Sequence, residues 1–250
     1  MKISAIVLTK NNETTIRKTL QSLQEFSEVI VYDNGSTDST MDIANEFSNV
    51  TLIEGEFRGF GWTKNRAVSF AKNDWIIIVD SDEVVDSELL TILQTKDLST
   101  DTIYLLNFKA YYKEVQVKYC GWNNQKIKRV YNKTITEYNA NDVHEDIKIE
   151  GLKVKELGGN MEHYSYQTIE QFVNKANIYS TLFAKNNVGK KNSSPSKAFF
   201  NGLYSFFRTY ILKRGFLDGY VGLVISFSHM VTNFYKYIKL YELNRELKTK

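Results

Sequence analysis

Two carboxylates one residue apart, in Asp80-Ser81-Asp82, directly follow the apolar run Trp75–Val79. A buried strand that ends in closely spaced acids is poorly suited to packing and well suited to holding a hard divalent cation. Mg²⁺ and Mn²⁺ prefer oxygen ligands, and Mg²⁺ is usually held by one or two carboxylates together with substrate phosphates. The pattern therefore predicts a metal-bound, phosphorylated substrate. In the alternative, the acids begin a helix, whose macrodipole favours negative charge.

The elements that must position these acids alternate between strand and helix. Apolar runs predict strands at 3–8, 28–32, 50–53 and 75–79, and helical periodicity predicts helices at 13–23, 40–47 and 63–71. Strands joined by helical crossovers form a mostly parallel, doubly wound sheet, in which ligands lie beyond the carboxyl ends of the strands. Polar clusters follow three of these ends: Thr9–Asn12, Asp33–Asp38 and Asp80–Asp82. The sequence thus predicts an α/β fold with its site at one edge of the sheet.

The pattern changes after residue 86. A helix is predicted at 86–93, strands at 103–112 and 126–131, and a polar, strand-like segment at 136–159. From residue 167 onward helices dominate, and Ser193-Ser194-Pro195-Ser196 marks a linker or a helix start. We therefore predict an α/β domain over 1–166 and a helical region over 167–250.

Charge is distributed unevenly along the chain. The net charge of +3 is too small to indicate nucleic acid, and no nucleic-acid recognition motif is present. Residues 197–250 hold nine Lys/Arg and three Asp/Glu among many Phe and Tyr, which indicates an anionic partner such as the inner-leaflet membrane surface. The single Cys120 fits a reducing compartment. The longest charge-free C-terminal stretch, 219–235, is too short and polar to span a bilayer. We expect a cytoplasmic, membrane-peripheral protein.

Two common phosphate-binding motifs are absent from the sequence. Neither G-x-G-x-x-G after the first strand nor G-x-x-x-x-G-K-[ST] occurs, so a dinucleotide-binding Rossmann domain and a P-loop enzyme are disfavoured. Asp33 could accept hydrogen bonds from a base or ribose, or simply form the turn before Asn34-Gly35. Lys64 could approach a diphosphate, or lie on a solvated helix face.

Four segments together resemble family 2 glycosyltransferases: Ile3–Asn11, Val31–Asp38, Lys64–Ala67 and Asp80–Glu83. The resemblance implies the GT-A fold, a Rossmann-like, mostly parallel mixed sheet flanked by helices. It also implies an inverting enzyme that depends on a divalent metal, Mn²⁺ or Mg²⁺, and uses a nucleotide sugar. The residues that it assigns to the nucleotide sugar are Thr9, Asn11, Asp33, Lys64, Asp80 and Ser81. Asp82 and Asp80 are assigned to the metal, and His163 could reach the metal or the diphosphate from the second half of the domain.

Further segments are similar to the lipopolysaccharide-core β-glucosyltransferase branch of that family: Phe57–Gly61, Gly121-Trp122, Val143–Glu145, His163–Tyr166 and Gly215–Gly219. The similarity implies transfer of glucose, with UDP-glucose as the favoured donor, to a lipid-linked saccharide acceptor, the lipopolysaccharide inner core. Another surface polysaccharide or glycoconjugate is the alternative acceptor. The nucleotide-sugar half would then cover about 1–95 and the acceptor half about 96–166.

Inverting transfer requires a base, because the acceptor hydroxyl loses its proton as it attacks the anomeric carbon. Val143-His144-Glu145-Asp146 supplies three candidates. By the family resemblance the base is Glu145, with Asp146 in reserve and His144 as support for the base or a ligand of the diphosphate. Alternatively, the acids are exposed charges on a strand edge and the histidine is structural.

Two other functions fit parts of the pattern. A sugar nucleotidyltransferase can share this type of sheet and also uses Mg²⁺, but it normally needs a Gly-rich, Arg-containing loop where this chain has Thr9–Asn12. A non-catalytic, membrane-associated binding module is the other rival. The intact Asp80-Ser81-Asp82 and Val143-His144-Glu145 segments argue against it.

Overall fold

The computed structural model describes residues 2–123, 125–139 and 145–249. It divides the chain into two compact units, residues 1–109 with 124–163 and residues 110–123 with 164–250. The second unit thus contains the predicted helical region and also residues 110–123. The strands are β1 (Ile3–Thr9), β2 (Glu28–Asp33), β3 (Val50–Glu54), β4 (Trp75–Asp80), β5 (Glu83–Val85), β6 (Thr102–Tyr112), β7 (Val115–Val117), β8 (Gln125–Asn132) and β9 (Lys153–Tyr166). The helices are α1 (Ile16–Ser22), α2 (Thr40–Asn45), α3 (Phe60–Val68), α4 (Ser87–Thr95), α5 (Ile169–Asn187), α6 (Pro195–Phe207) and α7 (Gly219–Thr249).

The first four strands form the predicted parallel sheet, in the order β3-β2-β1-β4. All seven residues of β1 are buried, because helices cover both faces of this part of the sheet. On one face Ala5 and Val7 pack with Ile16 and Leu20 of α1, and the other face packs against α3. The predicted doubly wound arrangement is confirmed.

Antiparallel strands extend the sheet beyond β4. The full order is β3-β2-β1-β4-β8-β6-β9-β5, with β8 antiparallel to both β4 and β6. The short strand β5, which the sequence did not predict, pairs with β9 so that Glu83 lies opposite His163. The strand predicted within 136–159 begins at Lys153 and continues to Tyr166. The mixed sheet and its flanking helices confirm the predicted GT-A fold class.

The acids after β4 do not begin a helix. Helix α4 starts at Ser87, and its N-cap is Asp86, whose carboxylate accepts a 2.8 Å hydrogen bond from the Leu89 amide. Glu83 belongs to β5 instead. The helix-cap alternative for the acids at 80–83 is therefore wrong.

The second unit consists mainly of helices. Helix α5 begins with a capping box made by Thr168 and Gln171. Helix α6 begins at Pro195, which confirms the predicted helix start, and the Ser194 hydroxyl accepts a hydrogen bond from the Lys197 amide. A π-helical turn (Arg208–Leu212) and a 3₁₀ turn (Gly215–Asp218) connect α6 to α7. Among the helices of the described residues, none has the length and apolarity that a bilayer crossing requires.

Close backbone packing joins the two turns of the second unit to the segment before Trp122. The Asp218 carboxylate accepts hydrogen bonds from the amides of Lys118 and Tyr119, at 3.0 and 2.9 Å. A Cβ atom on Gly222 would lie 1.7 Å from the carbonyl oxygen of Gly215, so the two backbone segments approach more closely than a side chain at Gly222 would allow. The Gly215–Gly219 segment is thus a structural junction.

Candidate active site

The acidic turn at the end of β4 is fixed by its middle residue. The Ser81 carbonyl oxygen accepts hydrogen bonds from the hydroxyls of Thr15 and Thr19, at 2.9 and 3.0 Å. Asn12 donates a 2.5 Å hydrogen bond to the Ser81 hydroxyl. Ser81 is buried, whereas the side chains of Asp80 and Asp82 remain 40% and 28% exposed. Ser81 therefore anchors the turn, and the two carboxylates beside it keep access to solvent.

A buried arginine of β8 binds this turn. Arg129 donates to Asp80 Oδ2 at 2.7 Å and to Glu83 Oε1 at 2.5 Å. The second oxygen of Glu83 accepts a 2.8 Å hydrogen bond from the Asp80 amide. Sequence reasoning did not identify Arg129, although it lies in the predicted strand 126–131. The burial of Arg129 is hard to predict from the sequence, because Lys126 and Lys128 precede it at alternate positions and make the strand resemble a solvated edge strand.

The pKa values of the two carboxylates that bind Arg129 are shifted in opposite directions. Burial by itself would raise the pKa of Asp80, but Arg129, helped by Lys64 and His163, holds that pKa well below its usual range. Burial raises the pKa of Glu83 to about 8 against the pull of Arg129, and the charges of Asp80 and Asp82 add to the rise. At neutral pH Asp80 is therefore the carboxylate that neutralises the guanidinium.

His163 lies beside the second acid of the turn. Its Nε2 atom is 3.3 Å from Asp82 Oδ2, and its ring meets Phe108 edge-on with a centroid separation of 6.2 Å. Burial lowers the pKa of His163, but the hydrogen bond with Asp82 and the nearby acids outweigh burial and raise it. The register of β5 with β9 thus brings together two of the three predicted metal ligands.

The donor set of this turn fits a divalent cation that is shared with a ligand. Asp80 and Asp82 offer carboxylate oxygens, and His163 offers an imidazole nitrogen. No group of three His, Cys, Asp or Glu side chains forms a complete metal cage within the described residues. Mg²⁺ does not need such a cage, because it usually keeps several waters and takes its remaining ligands from one or two carboxylates and substrate phosphates.

The carboxyl edge of the parallel strands carries the residues predicted for the nucleoside. Thr9 lies opposite Asp33 in the register of β1 with β2, and its buried hydroxyl has no hydrogen-bond partner among the described residues. The carboxylate of Asp33 accepts from the amides of Gly35 and Ser36, both at 2.8 Å, so it does form the turn. The side-chain oxygen of Asn11 accepts a 2.8 Å hydrogen bond from the Thr37 amide. Their assignment to the nucleoside stays a prediction.

Lys64 and Glu145 form an ion pair. The Lys64 ammonium is 2.6 Å from Glu145 Oε1, and the two side chains are only 6% and 18% exposed. The ammonium also lies 4.9 Å from the centre of the Tyr138 ring. The interpretation of Lys64 as part of a solvated helix face is therefore wrong. The same lysine acts electrostatically on Asp80, which links this pair to the acidic turn.

The other base candidates differ in their surroundings. Asp146 is paired with Lys128, and its side chain is 56% exposed. His144 lies outside the described residues. Glu145 is thus the better buried of the two described candidates, and its role as the base stays a prediction.

The chain is similar to several glycosyltransferases. The model of Glycosyl transferase family 2 matches residues 4–149. An uncharacterised glycosyltransferase of Rickettsia typhi is 32% identical over 262 residues, which cover 97% of this chain and 88% of the relative. The lipopolysaccharide core biosynthesis glycosyltransferase LpsC of Rhizobium meliloti is 24% identical over 246 residues, 91% of this chain and 90% of LpsC. The solved mannosyltransferase PcManGT of Pyrobaculum calidifontis, in complex with GDP-Man and Mn²⁺, has a TM-score of 0.49 and 15% identity over 91% of this chain and 73% of its own.

Replacing Arg129 by Met tests whether the buried guanidinium holds the turn. The substitution leaves Asp80 without its counter-charge, and we expect it to reduce the free energy of unfolding by roughly 3 kcal/mol. Lys153→Met, which breaks the exposed pair with Asp101, is the control and should cost about 1 kcal/mol or less. Urea unfolding of both variants measures the difference, and equal losses would contradict the assigned role of Arg129.

Proposed function

Because the chain belongs to glycosyl transferase family 2, we propose that it is a hexosyltransferase that inverts the anomeric carbon. The hexose is glucose, and its donor is UDP-glucose. The acceptor is a lipid-linked saccharide of the lipopolysaccharide inner core. The observation that carries the proposal is the acidic turn at residues 80–82, held by Arg129 beside His163. These contacts place two accessible carboxylates at the sheet edge where α/β proteins bind nucleotides.

Donor binding is assigned to the carboxyl edge of the first four strands. The Thr9 hydroxyl, which has no hydrogen-bond partner in the described part of the chain, supports a ligand at this edge, because a buried hydroxyl that lacks a hydrogen bond is costly. Asp33 and Asn11 shape the adjoining loop for the nucleoside. Asp82, Asp80 and His163 would hold the divalent metal, Mn²⁺ or Mg²⁺, which supplies Lewis-acid stabilisation of the diphosphate leaving group.

Glu145 is assigned as the base. The acceptor oxygen attacks the anomeric carbon, the bond from that carbon to the diphosphate oxygen breaks, and Glu145 receives the acceptor proton. The ion pair with Lys64 holds the Glu145 carboxylate in one place, which a base needs in order to meet a bound hydroxyl. Asp146, paired with Lys128 and more exposed, remains the reserve candidate.

The acceptor assignment draws on the relatives and on the second unit. LpsC, whose name places it in lipopolysaccharide core biosynthesis, is similar over 91% of this chain. Helix α6 also presents a row of exposed large side chains, which we call the α6 apolar face. Its members are Phe199, Phe200, Leu203, Tyr204 and Phe207. At helical spacing these residues fall on one side, opposite the buried Ala198 and Gly202.

We assign the α6 apolar face to the surface of the inner leaflet. Apolar side chains on a helix that lies in the interface enter the region between head groups and acyl chains, and nearby basic residues attract anionic lipid. The excess of nine Lys/Arg over three Asp/Glu in residues 197–250 supplies that attraction. Peripheral docking would bring the enzyme to an acceptor that is itself anchored in lipid.

Asp82→Asn tests the metal assignment. We expect the variant to keep its fold and to lose transfer from UDP-glucose by about 100-fold or more, because charge stabilisation of the leaving group is lost. It should also lose the Mn²⁺-dependent thermal stabilisation that UDP-glucose gives the unmodified protein, measured beside a panel of other UDP- and GDP-sugars. Asp97→Asn, at an exposed acid, is the control. Normal turnover by Asp82→Asn would remove the metal role.

Glu145→Gln tests the base. We expect UDP-glucose binding to be retained and transfer to fall by roughly 100-fold or more, the usual contribution of a general base. Asp146→Asn is the matched control and should keep near-normal transfer. Single-turnover transfer to purified truncated lipopolysaccharide measures both variants. The reverse result, with Asp146→Asn inactive and Glu145→Gln active, would show that the base assignment is wrong.

Phe200→Glu tests membrane docking. Burying a phenylalanine contributes about 1.5–3 kcal/mol, so its replacement by a charge should weaken vesicle binding by roughly 10-fold or more. Co-sedimentation with vesicles of phosphatidylcholine and phosphatidylglycerol measures the effect. Ile135→Glu, at an exposed apolar residue of the first unit, should bind like the unmodified protein. Equal binding by Phe200→Glu and the unmodified protein would contradict docking through this face.

A further inference from the structure

The second unit contains a cavity of about 410 Å³ that is open to solvent and whose walls carry several positive charges. Lys175 comes from α5, Arg208 from the π-helical turn and Lys236 from α7, while Lys213 follows the π-helical turn. No Asp or Glu is among the described residues that line this cavity. The described lining therefore supplies positive charge from four side chains and no carboxylate, so an anion bound there would meet complementary charge.

Burial and these positive charges together lower the pKa of a histidine in the same wall. His229 of α7 lines the cavity, and its Nδ1 atom lies 3.1 Å from the hydroxyl of Thr209. Burial lowers the pKa of His229 to about 4, and the charges of Lys213 and Lys236 contribute to the shift. The imidazole is therefore neutral at pH 7, and an anion placed beside these cations would reverse part of the shift.

Lys213 packs closely against the backbone of Gly121. A Cβ atom on Gly121 would lie 2.3 Å from the Lys213 ammonium, so the lysine lies directly against the glycine backbone. Gly121 has a φ of +78°, in the left-handed region that favours glycine. The Cys120 amide donates a 3.2 Å hydrogen bond to the Lys213 carbonyl oxygen. The hydrogen bond fixes the Lys213 backbone, and the close approach to Gly121 restricts its side chain; such restriction before a ligand binds reduces the cost of binding.

Aromatic rings form another part of the lining. Trp122 stacks on Tyr166 with a centroid separation of 5.6 Å, and the Lys175 ammonium lies 4.6 Å from the centre of the Tyr166 ring. Hydroxyl and amide groups of Ser205, Thr232 and Asn233 complete the wall. The cavity thus combines cations, neutral hydrogen-bonding groups and flat apolar surfaces, and it exceeds the size of a simple inorganic anion.

We propose that this cavity binds the phosphate group of an organic phosphate ester, with Arg208 and Lys213 as its principal charge partners. Guanidinium and ammonium groups match the acceptor oxygens of a phosphate, and charge-assisted hydrogen bonds to it are the strong class. The aromatic side accommodates the organic part of the ester. The phosphate comes either from a phospholipid head group or from a soluble phosphate ester. The inference does not depend on the proposed glycosyl transfer, because it involves none of the residues assigned to that reaction.

The test uses the full chain, without nucleotide sugar or metal, and glycerol 3-phosphate as the first probe. We expect saturating glycerol 3-phosphate to raise the pKa of His229, followed by NMR, by about one unit or more. His229→Gln assigns the signal, which is practical because the chain contains three histidines. In calorimetry, Arg208→Gln and Lys213→Gln should each weaken binding by roughly 10-fold. Lys185→Gln, at an exposed lysine of α5, should leave it unchanged.

Vesicles distinguish the two sources of phosphate. If vesicles with phosphatidic acid change the His229 signal and glycerol 3-phosphate does not, the ligand is a lipid head group; the opposite result identifies a soluble ester. Asp82→Asn should bind like the unmodified protein, so a failure of the metal assignment leaves this test intact. If neither probe changes the His229 signal, or if Arg208→Gln and Lys213→Gln bind as well as Lys185→Gln, the proposal is overturned. The titration needs no variant in the cation positions, so misfolding of those variants cannot obscure it.

Discussion

A guanidinium removed from water needs acceptor oxygens at hydrogen-bond distance, and Asp80 and Glu83 supply them to Arg129. Breaking such a buried pair is costly, whereas forming it yields little net stability, because desolvation offsets most of the attraction. The pair therefore acts mainly as a constraint on geometry. It joins β8 to the end of β4 and prevents the acidic turn from moving away from the sheet edge. The position of Asp82, and through it of His163, depends on this constraint.

Parallel strands explain why the other site residues gather near that turn. In the register of β1 with its two neighbours, Thr9 lies opposite Asp33 and Leu8 lies opposite Asp80. Residues that are far apart in the sequence therefore share one edge without any loop having to bring them there. The antiparallel half of the sheet adds what the parallel half lacks. Arg129 comes from β8 and His163 from β9, and both supply nitrogen groups to an edge otherwise rich in carboxylates.

The sequence predicted features whose signal is local, and it missed those that depend on pairing between distant segments. The four parallel strands are continuous apolar runs, and the acids that follow them are visible by position alone. Strand β5 has three residues, too few to show a period of two, and it exists because β9 pairs with it. The sequence did not identify Arg129 and left Lys64 open between a diphosphate contact and a solvated helix face, since their burial depends on partners 46 and 81 residues away. The roles of Thr9 and Asp33 toward a nucleoside are expectations that rest on family resemblance.

The two proposed phosphate sites, one in each unit, differ in where their positive charge comes from. Residues 1–109 and 124–163 hold more Asp and Glu than Lys and Arg, and the diphosphate proposed for the acidic turn would need a cation shared between protein and ligand. In the cavity of the second unit the cations belong to the protein itself, so the phosphate proposed for it would need no metal. A shared cation makes donor binding depend on metal concentration, whereas fixed lysine and arginine charges make binding depend on ionic strength. Because no described side chain belongs to both proposed sites, phosphate binding in the cationic cavity should not depend on the metal.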